Sequence, residues 1–216
     1  MSIATHPSHA AIIVASRPEL MSHAVASPAD LEPLLDKVDV IAFGPGLGQS
    51  DWARALFDQL ADDQRLAVWD ADALNLLAAK PDPAPNRVIT PHPGEAGTLL
   101  GIGTADIQAD RPAALAALAR QYGGVVVLKG AGTLVSSSSH APALSTSGNP
   151  GMASPGMGDV LTGIIAALMA QGLDFETAAS VGVEAHARAG DRAATGGERG
   201  LIASDLLVEL RAVLNT

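Results

Sequence analysis

The sequence predicts an α/β fold in which helices cover both faces of a mostly parallel central sheet. Short runs rich in β-branched residues alternate with Ala- and Leu-rich amphipathic stretches along the 216 residues, the pattern of strands connected by helices. The runs are almost continuously apolar, as in strands that are buried on both faces. Because α/β chains of this length commonly form one domain, we expect residues 1–216 to be a single domain.

Each element follows from a local pattern. The apolar runs predict strands at residues 38–43, 66–69, 87–90 and 125–128. Apolar residues at helical spacing predict helices at residues 52–60, 73–79, 95–100 and 112–122. A β-hairpin is predicted next, with strands at 133–137 and 141–146 and its polar tip at 138–140. The last third is predicted to be helical at 159–170, 175–194 and 204–213, with Ser204 capping the final helix.

Composition excludes several classes of function. The chain has 23 acidic against 13 basic residues and a net charge of −10, so it lacks the basic surface that nucleic-acid binding needs. It has no cysteine, which excludes disulfides, thiolate zinc sites and cysteine nucleophiles and fits a reducing compartment. Neither a secretion signal nor an apolar run of the roughly 20 residues that span a membrane is evident. We therefore expect a soluble, cytoplasmic protein with no nucleic-acid or membrane partner.

A glycine-rich turn, GPGLG at residues 44–48, follows the first predicted strand. Its glycines allow positive φ and a close approach of the backbone to a ligand. It does not match the dinucleotide fingerprint, because Gln49 stands where the third glycine is required. Both a ligand-binding turn and a plain strand-to-helix turn fit this segment.

A second turn, PHPGE at residues 91–95, follows the third predicted strand. Its two prolines hold the chain extended and place His92 at the sheet edge, where the imidazole could contact a substrate. Glu95 is predicted to begin a helix and accept hydrogen bonds from its first amides. The alternative is a rigid turn with an exposed histidine, and no neighbouring residue has the spacing of a metal ligand.

Lys129 directly follows the apolar run 125–128 and opens the sequence KGAGT at residues 129–133. One ammonium and the unhindered amides near two glycines could bind a phosphate. The alternative is a solvated lysine before a tight hairpin turn.

The strongest signal is the glycine-rich segment 148–159, which runs into the apolar helix 160–170. Free amides and the helix dipole at such a helix start favour an anion. The segment is not a Walker loop, because Met157 and Gly158 stand where Lys and Ser or Thr are required. Asp159 could accept the proton of a hydroxyl that attacks phosphorus, or it could serve only as a helix cap.

Three other polar residues have weaker signals. Asp70 and Asp72 follow a predicted strand and could reach a metal or a ribose, and helix capping explains Asp72 equally well. We expect His186 to pack or hydrogen-bond between helices, because nothing beside it suggests activation.

Five motifs occur in a characteristic order, at residues 43–48, 70–75, 90–95, 128–133 and 148–161. Together they resemble the ADP-dependent NAD(P)H-hydrate dehydratase family, the YjeF C-terminal domain of the ribokinase-like superfamily, over nearly the whole chain. The resemblance implies a ribokinase-like, three-layer α/β/α fold. It also implies a repair reaction in which hydrated NADH or NADPH is dehydrated to NAD(P)H while ADP is cleaved to AMP and phosphate.

The resemblance implies roles for individual residues. Asp159 matches the catalytic base and contacts the substrate, while Gly46 and His92 match positions that contact the hydrated dinucleotide. The nucleotide-binding positions are Lys129, Gly130, Ala131, Gly132, Thr133, Asn149, Gly156, Met157 and Gly158. ADP is the implied co-substrate and Mg²⁺ the implied cofactor, because a cation would reduce repulsion between phosphates. No metal site built from protein ligands is expected.

The chain departs from the family pattern at its N-terminus. Family members carry a further glycine-rich strand-helix unit before the segment that resembles residues 2–20, and often an upstream epimerase domain. The domain is therefore expected to be N-terminally incomplete, with a partner chain or missing segment completing it, an open pocket, or lost activity. Pro155 replaces a glycine of many relatives and removes one amide donor.

The resemblance further implies a homo-oligomer, with a tetramer as one option. Two other functions remain open at this point. The chain could be an ATP-dependent kinase of a small metabolite on the same fold, or a non-catalytic nucleotide-binding subunit.

Overall fold

The computed structural model describes residues 1–136 and 140–215. The chain divides into two compact units, the first formed by Met1–Asp39 and Gly48–Gln64 and the second by Val40–Leu47 and Arg65–Thr216. Whether residues 1–216 act as one domain stays a prediction.

The first unit opens with a strand-helix-strand segment that the sequence patterns did not predict. It comprises β1 (Ser2–Thr5), α1 (Pro7–Ser16) and β2 (Met21–Ala24), and the two strands pair in parallel. The unit continues with α2 (Pro28–Leu35) and α3 (Asp51–Ala61). The Ser50 side chain caps α3 by accepting a hydrogen bond from the Ala53 amide at 3.3 Å.

The second unit contains a sheet whose described strands lie in chain order. They are β3 (Val40–Phe43), β4 (Leu66–Trp69), β5 (Arg87–Ile89), β6 (Val125–Leu128), β7 (Leu134–Val135) and β8 (Ala143–Leu144). Pairing is parallel from β3 to β6 and antiparallel from β6 to β8. The four predicted strands and the hairpin pairing are therefore confirmed. Of the predicted hairpin tip and its first strand, residues 137–139 lie outside the described residues.

The helices of the second unit follow the predicted ones closely. They are α4 (Asp72–Ala79), α5 (Pro93–Leu100), α6 (Thr104–Ala109), α7 (Arg111–Tyr122), α8 (Met157–Ala170), α9 (Phe175–Ala193) and α10 (Ala203–Val213). Of these α-helices, only α6 lacks a counterpart among the predictions. The predicted cap at Ser204 is wrong, because Ile202 is the N-cap and its amide donates to Asp205 Oδ2 at 3.0 Å. None of the helices within 1–136 and 140–215 is long and apolar enough to cross a membrane.

Helices pack on both faces of the second sheet. Along β6, Val125 and Val127 join a core cluster with apolar residues of α8 and α9, so the alternate residues of the strand point to the opposite face. Helix α7 also contacts β6. A Cβ at Gly182 of α9 would lie 2.8 Å from the Ile165 side chain of α8, so this glycine lets the two helices approach closely. The result is the predicted α/β class, with a mostly parallel sheet between helical layers.

Candidate active site

The C-terminal ends of β4 and β6 bring a buried ion pair to one edge of the sheet, the edge where parallel α/β sheets bind ligands. Lys129 Nζ lies 2.6 Å from Asp70 Oδ1, and the two side chains are only 16% and 1% exposed. Glu95 Oε2, at the start of α5, lies 3.7 Å from the same ammonium. Lys129 is therefore not the solvated lysine of the alternative interpretation, and two carboxylates already compensate its charge.

The first turn of α8 lies against this ion pair. Thr162 Oγ1 donates a hydrogen bond to Asp70 Oδ2 at 2.8 Å, so both carboxylate oxygens of Asp70 are used. A Cβ at Gly158 would lie 3.1 Å from Lys129 Nζ. Glycine at this position thus allows the helix start to pack directly on the ammonium.

Asp159 stands between these two contacts of α8, with an exposed side chain. Desolvation raises the pKa of its carboxyl above the ordinary value, the negative charge of Asp70 raises it further, and Lys129 opposes both. Such a carboxylate holds a proton more readily, which suits a general base. The N-cap of α8 is Gly156, at φ 86°, and among the described hydrogen bonds none from Asp159 caps the helix.

Met157 begins α8 with its side chain buried in a cluster with Ala189, Leu201 and Leu206. Only the backbone of Met157 is thus available to a nucleotide. His186 Nε2 of α9 donates to the Met157 carbonyl at 2.9 Å, which confirms the predicted hydrogen bond between helices. Burial lowers the pKa of His186 to about 4, so its ring is neutral at pH 7.

The loop before α8 is attached to α9 by Asp191. The Gly148 amide and Asn149 Nδ2 donate to the two carboxylate oxygens of Asp191 at 2.9 and 3.0 Å. Asn149 Oδ1 accepts from the Gly151 amide at 3.1 Å. Both ends of the Asn149 side chain are therefore engaged within the protein, and its contact with nucleotide stays a prediction.

The turn at residues 129–133 is held by a residue that sequence reasoning missed. The Arg111 guanidinium donates to the carbonyls of Leu128 at 3.1 Å, Lys129 at 3.3 Å and Gly132 at 3.1 Å. Arg111 precedes Pro112, and in the sequence this position signalled only a helix start. Thr133 Oγ1 adds a bond to the Gly130 carbonyl at 2.9 Å. Hydrogen bonds from Arg111 and Thr133 thus hold the carbonyls of this turn in place.

His92 is the N-cap of α5. Its Nδ1 accepts from the amides of Gly94 and Glu95 at 3.0 and 3.2 Å, and Glu95 Oε2 accepts from the His92 amide at 2.7 Å. The predicted role of Glu95 at the helix start is confirmed. Because Nδ1 is an acceptor, Nε2 carries the proton of the neutral ring, and the His92 side chain is 56% exposed.

The GPGLG turn adjoins the residues that follow β4. A Cβ at Gly44, at φ 121°, would lie 1.8 Å from the Asp70 carbonyl oxygen, so only glycine fits there. Gly46, at φ 68°, has open space around it and exposes backbone. Ala71 has φ 50° and is the one non-glycine residue of the described ranges with positive φ. The chain thus bends sharply next to Asp70.

Magnesium is the cofactor implied by the family resemblance. Within the described ranges, no group of three or more His, Cys, Asp or Glu side chains could hold a metal ion. Asp70 and Glu95 already accept hydrogen bonds from protein donors. Mg²⁺ is commonly bound by substrate phosphates and only one or two carboxylates. The described residues thus offer no magnesium site built from protein ligands alone, and an ion bound with the nucleotide would have to be held mainly by its phosphates.

Comparison with known protein families supplies the decisive observation. Residues 1–211 match the family model described as NAD(P)H-hydrate dehydratase. The chain belongs to the NAD(P)H-hydrate dehydratase family. The resemblance inferred from the five sequence motifs is therefore confirmed.

Relatives of this family share considerable sequence identity with the chain. The bifunctional NAD(P)H-hydrate repair enzyme Nnr of Coxiella burnetii is 50% identical over 216 residues, which are 100% of this chain and 44% of that enzyme. The chain thus spans less than half of that relative. The ADP-dependent (S)-NAD(P)H-hydrate dehydratase of Neisseria meningitidis is 35% identical over 211 residues, covering 94% of this chain and 71% of that enzyme.

Solved structures agree on the fold. An ADP/ATP-dependent NAD(P)H-hydrate dehydratase from Bacillus subtilis, co-crystallized with ATP/Mg²⁺, matches 99% of this chain and 78% of its own at 25% identity and a TM-score of 0.84. A ribokinase-like superfamily protein from Enterococcus faecalis has a TM-score of 0.84 at 26% identity, over 99% of this chain and 76% of its own. The predicted ribokinase-like α/β fold is confirmed.

Proposed function

We propose that this protein dehydrates hydrated NADH or NADPH back to NAD(P)H and converts ADP to AMP and phosphate. One observation carries the proposal. Asp159, a carboxylate of raised pKa, stands in the first turn of a glycine-preceded helix that packs on a buried ion pair. A base and a set of amides for phosphate are thus combined at one helix start.

The chemistry needs only a few groups. Asp159 accepts the proton of the hydrate's hydroxyl as that oxygen attacks the β-phosphorus of ADP, and AMP leaves. The ring C–O bond then breaks, phosphate departs, and loss of the neighbouring ring proton restores the double bond. A base whose pKa is raised by its surroundings is matched to the first of these proton transfers.

The proposed ligand contacts follow the same edge of the sheet. The amides of Gly156 to Gly158 and the turn at 129–133 bind the nucleotide, with Asn149 and Met157 contributing through their backbone. Gly46 and the exposed His92 side chain contact the hydrated dinucleotide. When bound with the nucleotide, Mg²⁺ would neutralise charge on the phosphates, and the Bacillus subtilis relative co-crystallized with ATP/Mg²⁺ supports its use.

The remaining partners also belong to the proposal. None of residues 1–24 is buried, which supports a further segment or partner chain against this part of the first unit. A homo-oligomer, with a tetramer as one option, could supply it. The absence of cysteine, and therefore of disulfides, fits a cytoplasmic location, because disulfides occur mainly in proteins of oxidising compartments.

The central test uses the purified protein, ADP and enzymatically hydrated NADH. The unmodified protein should restore NADH absorbance and release phosphate, and Asp159→Asn should lower the rate by about 10²- to 10⁴-fold, the usual contribution of a general base. Asp205→Asn is the matched control, because Asp205 holds the equivalent position in α10. It should retain activity.

Two results would reject parts of the proposal. No restoration of NADH by the unmodified protein would reject the dehydratase function, and a stable phosphorylated product would indicate a kinase instead. An Asp159→Asn rate within a few fold of the unmodified protein would reject Asp159 as the base.

A further inference from the structure

We propose that Asp70 is a positioning residue of this site, which holds the first turn of α8 in place and sets the charge that Asp159 faces. The inference rests on the proposed function and adds a residue to it. Asp70 touches no reacting atom in this proposal and acts through Lys129 and Thr162.

Three distant parts of the chain meet at the Asp70 carboxylate. Lys129 is 59 residues away in sequence and donates at 2.6 Å, and Thr162 is 92 residues away and donates at 2.8 Å. With Asp70 only 1% exposed, its charge is removed from water and is tolerable only with such partners. Loss of the carboxylate would leave the Lys129 ammonium without its closest partner.

The contacts of Asp70 enclose Asp159 along the helix. Gly158 precedes Asp159, and a Cβ there would lie 3.5 Å from Asp70 Oδ2. Thr162 follows by almost one helical turn, so its side chain lies on a neighbouring face of α8. Asp70 therefore holds α8 through Thr162, and the glycine at position 158 leaves room for the ion pair beside the turn that carries Asp159.

The backbone next to Asp70 is strained and closely packed, which fixes the direction of the carboxylate. The next residue, Ala71, adopts φ 50°, a conformation that costs energy for a residue with a Cβ. Gly44 packs against the Asp70 carbonyl without room for a Cβ. Strain of this kind persists only where surrounding contacts impose it.

The charges around Asp159 come from several elements. Asp70 from the end of β4 and Lys129 from the end of β6 act on it in opposite directions. Glu95 of α5 lies 3.7 Å from the same ammonium, and Nε2 of His92, the N-cap of α5, lies 3.5 Å from Glu95. His186 of α9, with its lowered pKa of about 4, is neutral. Removing the Asp70 carboxylate thus leaves the positive charge of Lys129 less neutralised, so Asp159 experiences a stronger positive potential.

The test measures the pKa of Asp159 directly, by ¹³C NMR of protein labelled at the aspartate carboxyl carbons. The Asp159 signal is assigned by its loss in Asp159→Asn. In Asp70→Asn the Asp159 pKa should fall by about one unit or more, because the opposite charge of Lys129 is no longer neutralised. In Lys129→Gln it should rise, because Asp70 then acts alone.

Two control variants separate charge from folding. Thr162→Val keeps the charges of Asp70 and Lys129, so it should shift the Asp159 pKa by much less than Asp70→Asn does. Because it removes the hydrogen bond that holds α8, it should raise the KM for ADP. Asp205→Asn should change neither quantity. Simple loosening of the fold would shift the Asp159 pKa in the same direction in the Asp70 and Lys129 variants.

Each outcome decides the inference. Shifts of opposite sign in Asp70→Asn and Lys129→Gln support it, whereas no shift or shifts of the same sign overturn it. If Asp70→Asn does not fold, Thr162→Val decides alone, with weaker ADP binding in support and unchanged ADP binding against. The NMR titration needs no substrate, so a protein without dehydratase activity would contradict the proposed function and leave this result readable.

Discussion

The two compact units differ sharply in how far they bury their strands. No residue of β1, α1 or β2 in the first unit is buried, whereas every residue of β5 and β6 in the second unit is. Parallel strands are normally covered on both faces. Parallel strands connected through helices are therefore buried in a core in the second unit and exposed to solvent in the first.

This difference separates the part of the chain that carries the candidate site from a part whose strands are exposed. Asp70, Lys129 and Asp159 all belong to the second unit. Helix α1 instead exposes Ile12 by 65% and Val14 by 44%, although helices gain most of their stability by burying an apolar face. We therefore expect substitutions to have graded effects, from the second unit's core to the first unit's surface.

The largest expected effect is at Ile165, which is fully buried between α8 and α9. Ile165→Ala should lower the free energy of unfolding by about 2–5 kcal/mol, because it removes buried methyl groups and leaves a cavity. Denaturant unfolding of the purified variant measures this. A loss below about 1 kcal/mol would mean that α8 and α9 move together to fill the cavity. The core of the second unit would then be less tightly packed than its burial indicates.

The next effect depends on pH and on His186. Burial lowers its pKa from 6.5 to about 4 in the folded protein, so the unfolded chain binds a proton first as the pH falls. The contribution of His186 to stability should therefore be complete above pH 6.5 and be lost towards pH 4, by about 3 kcal/mol in total.

Unfolding of the protein and of His186→Gln, measured across this pH range, tests the effect. The variant should lose that part of the slope. If the free energy of unfolding changed equally with pH in both proteins, His186 would be accessible to water. This result would contradict the burial of His186 in the second unit.

The smallest expected effect is at Ile12, the matched position on the exposed helix. Ile12→Ala should change the free energy of unfolding by less than about 0.5 kcal/mol, because surface substitutions rarely do more. A loss of about 2 kcal/mol that grows with protein concentration would show that another chain covers this helix in solution. The comparison between the units would then apply to the isolated chain only.

Local patterns predicted an element well where its residues are uniformly buried. The apolar runs LAVW and VVVL became β4 and β6 with the predicted bounds. In contrast, SIAT and MSHA became β1 and β2 without any apolar run. Helix α8 begins at Met157, ahead of its predicted start at Asp159, because the glycines before it resemble a loop in sequence.

The site was predicted in its residue types and only partly in its contacts. The sequence marked Lys129, Asp159 and the glycines before α8, and left Lys129 as either a phosphate ligand or a solvated lysine. The structure pairs that lysine with Asp70 and holds its turn with Arg111. No local pattern predicts either contact, because Asp70 and Arg111 are both distant from Lys129 in sequence.

The sequence by itself determined the α/β class, the parallel strands, the glycine-rich start of α8 and the family. These depend on hydrophobic periodicity and on motifs a few residues long, which act within one segment. Only the tertiary structure decided that Lys129 and Thr162 both donate to the Asp70 carboxylate and that Asn149 donates to Asp191. Such contacts arise because strand order brings distant residues to one sheet edge, where buried charges must find partners.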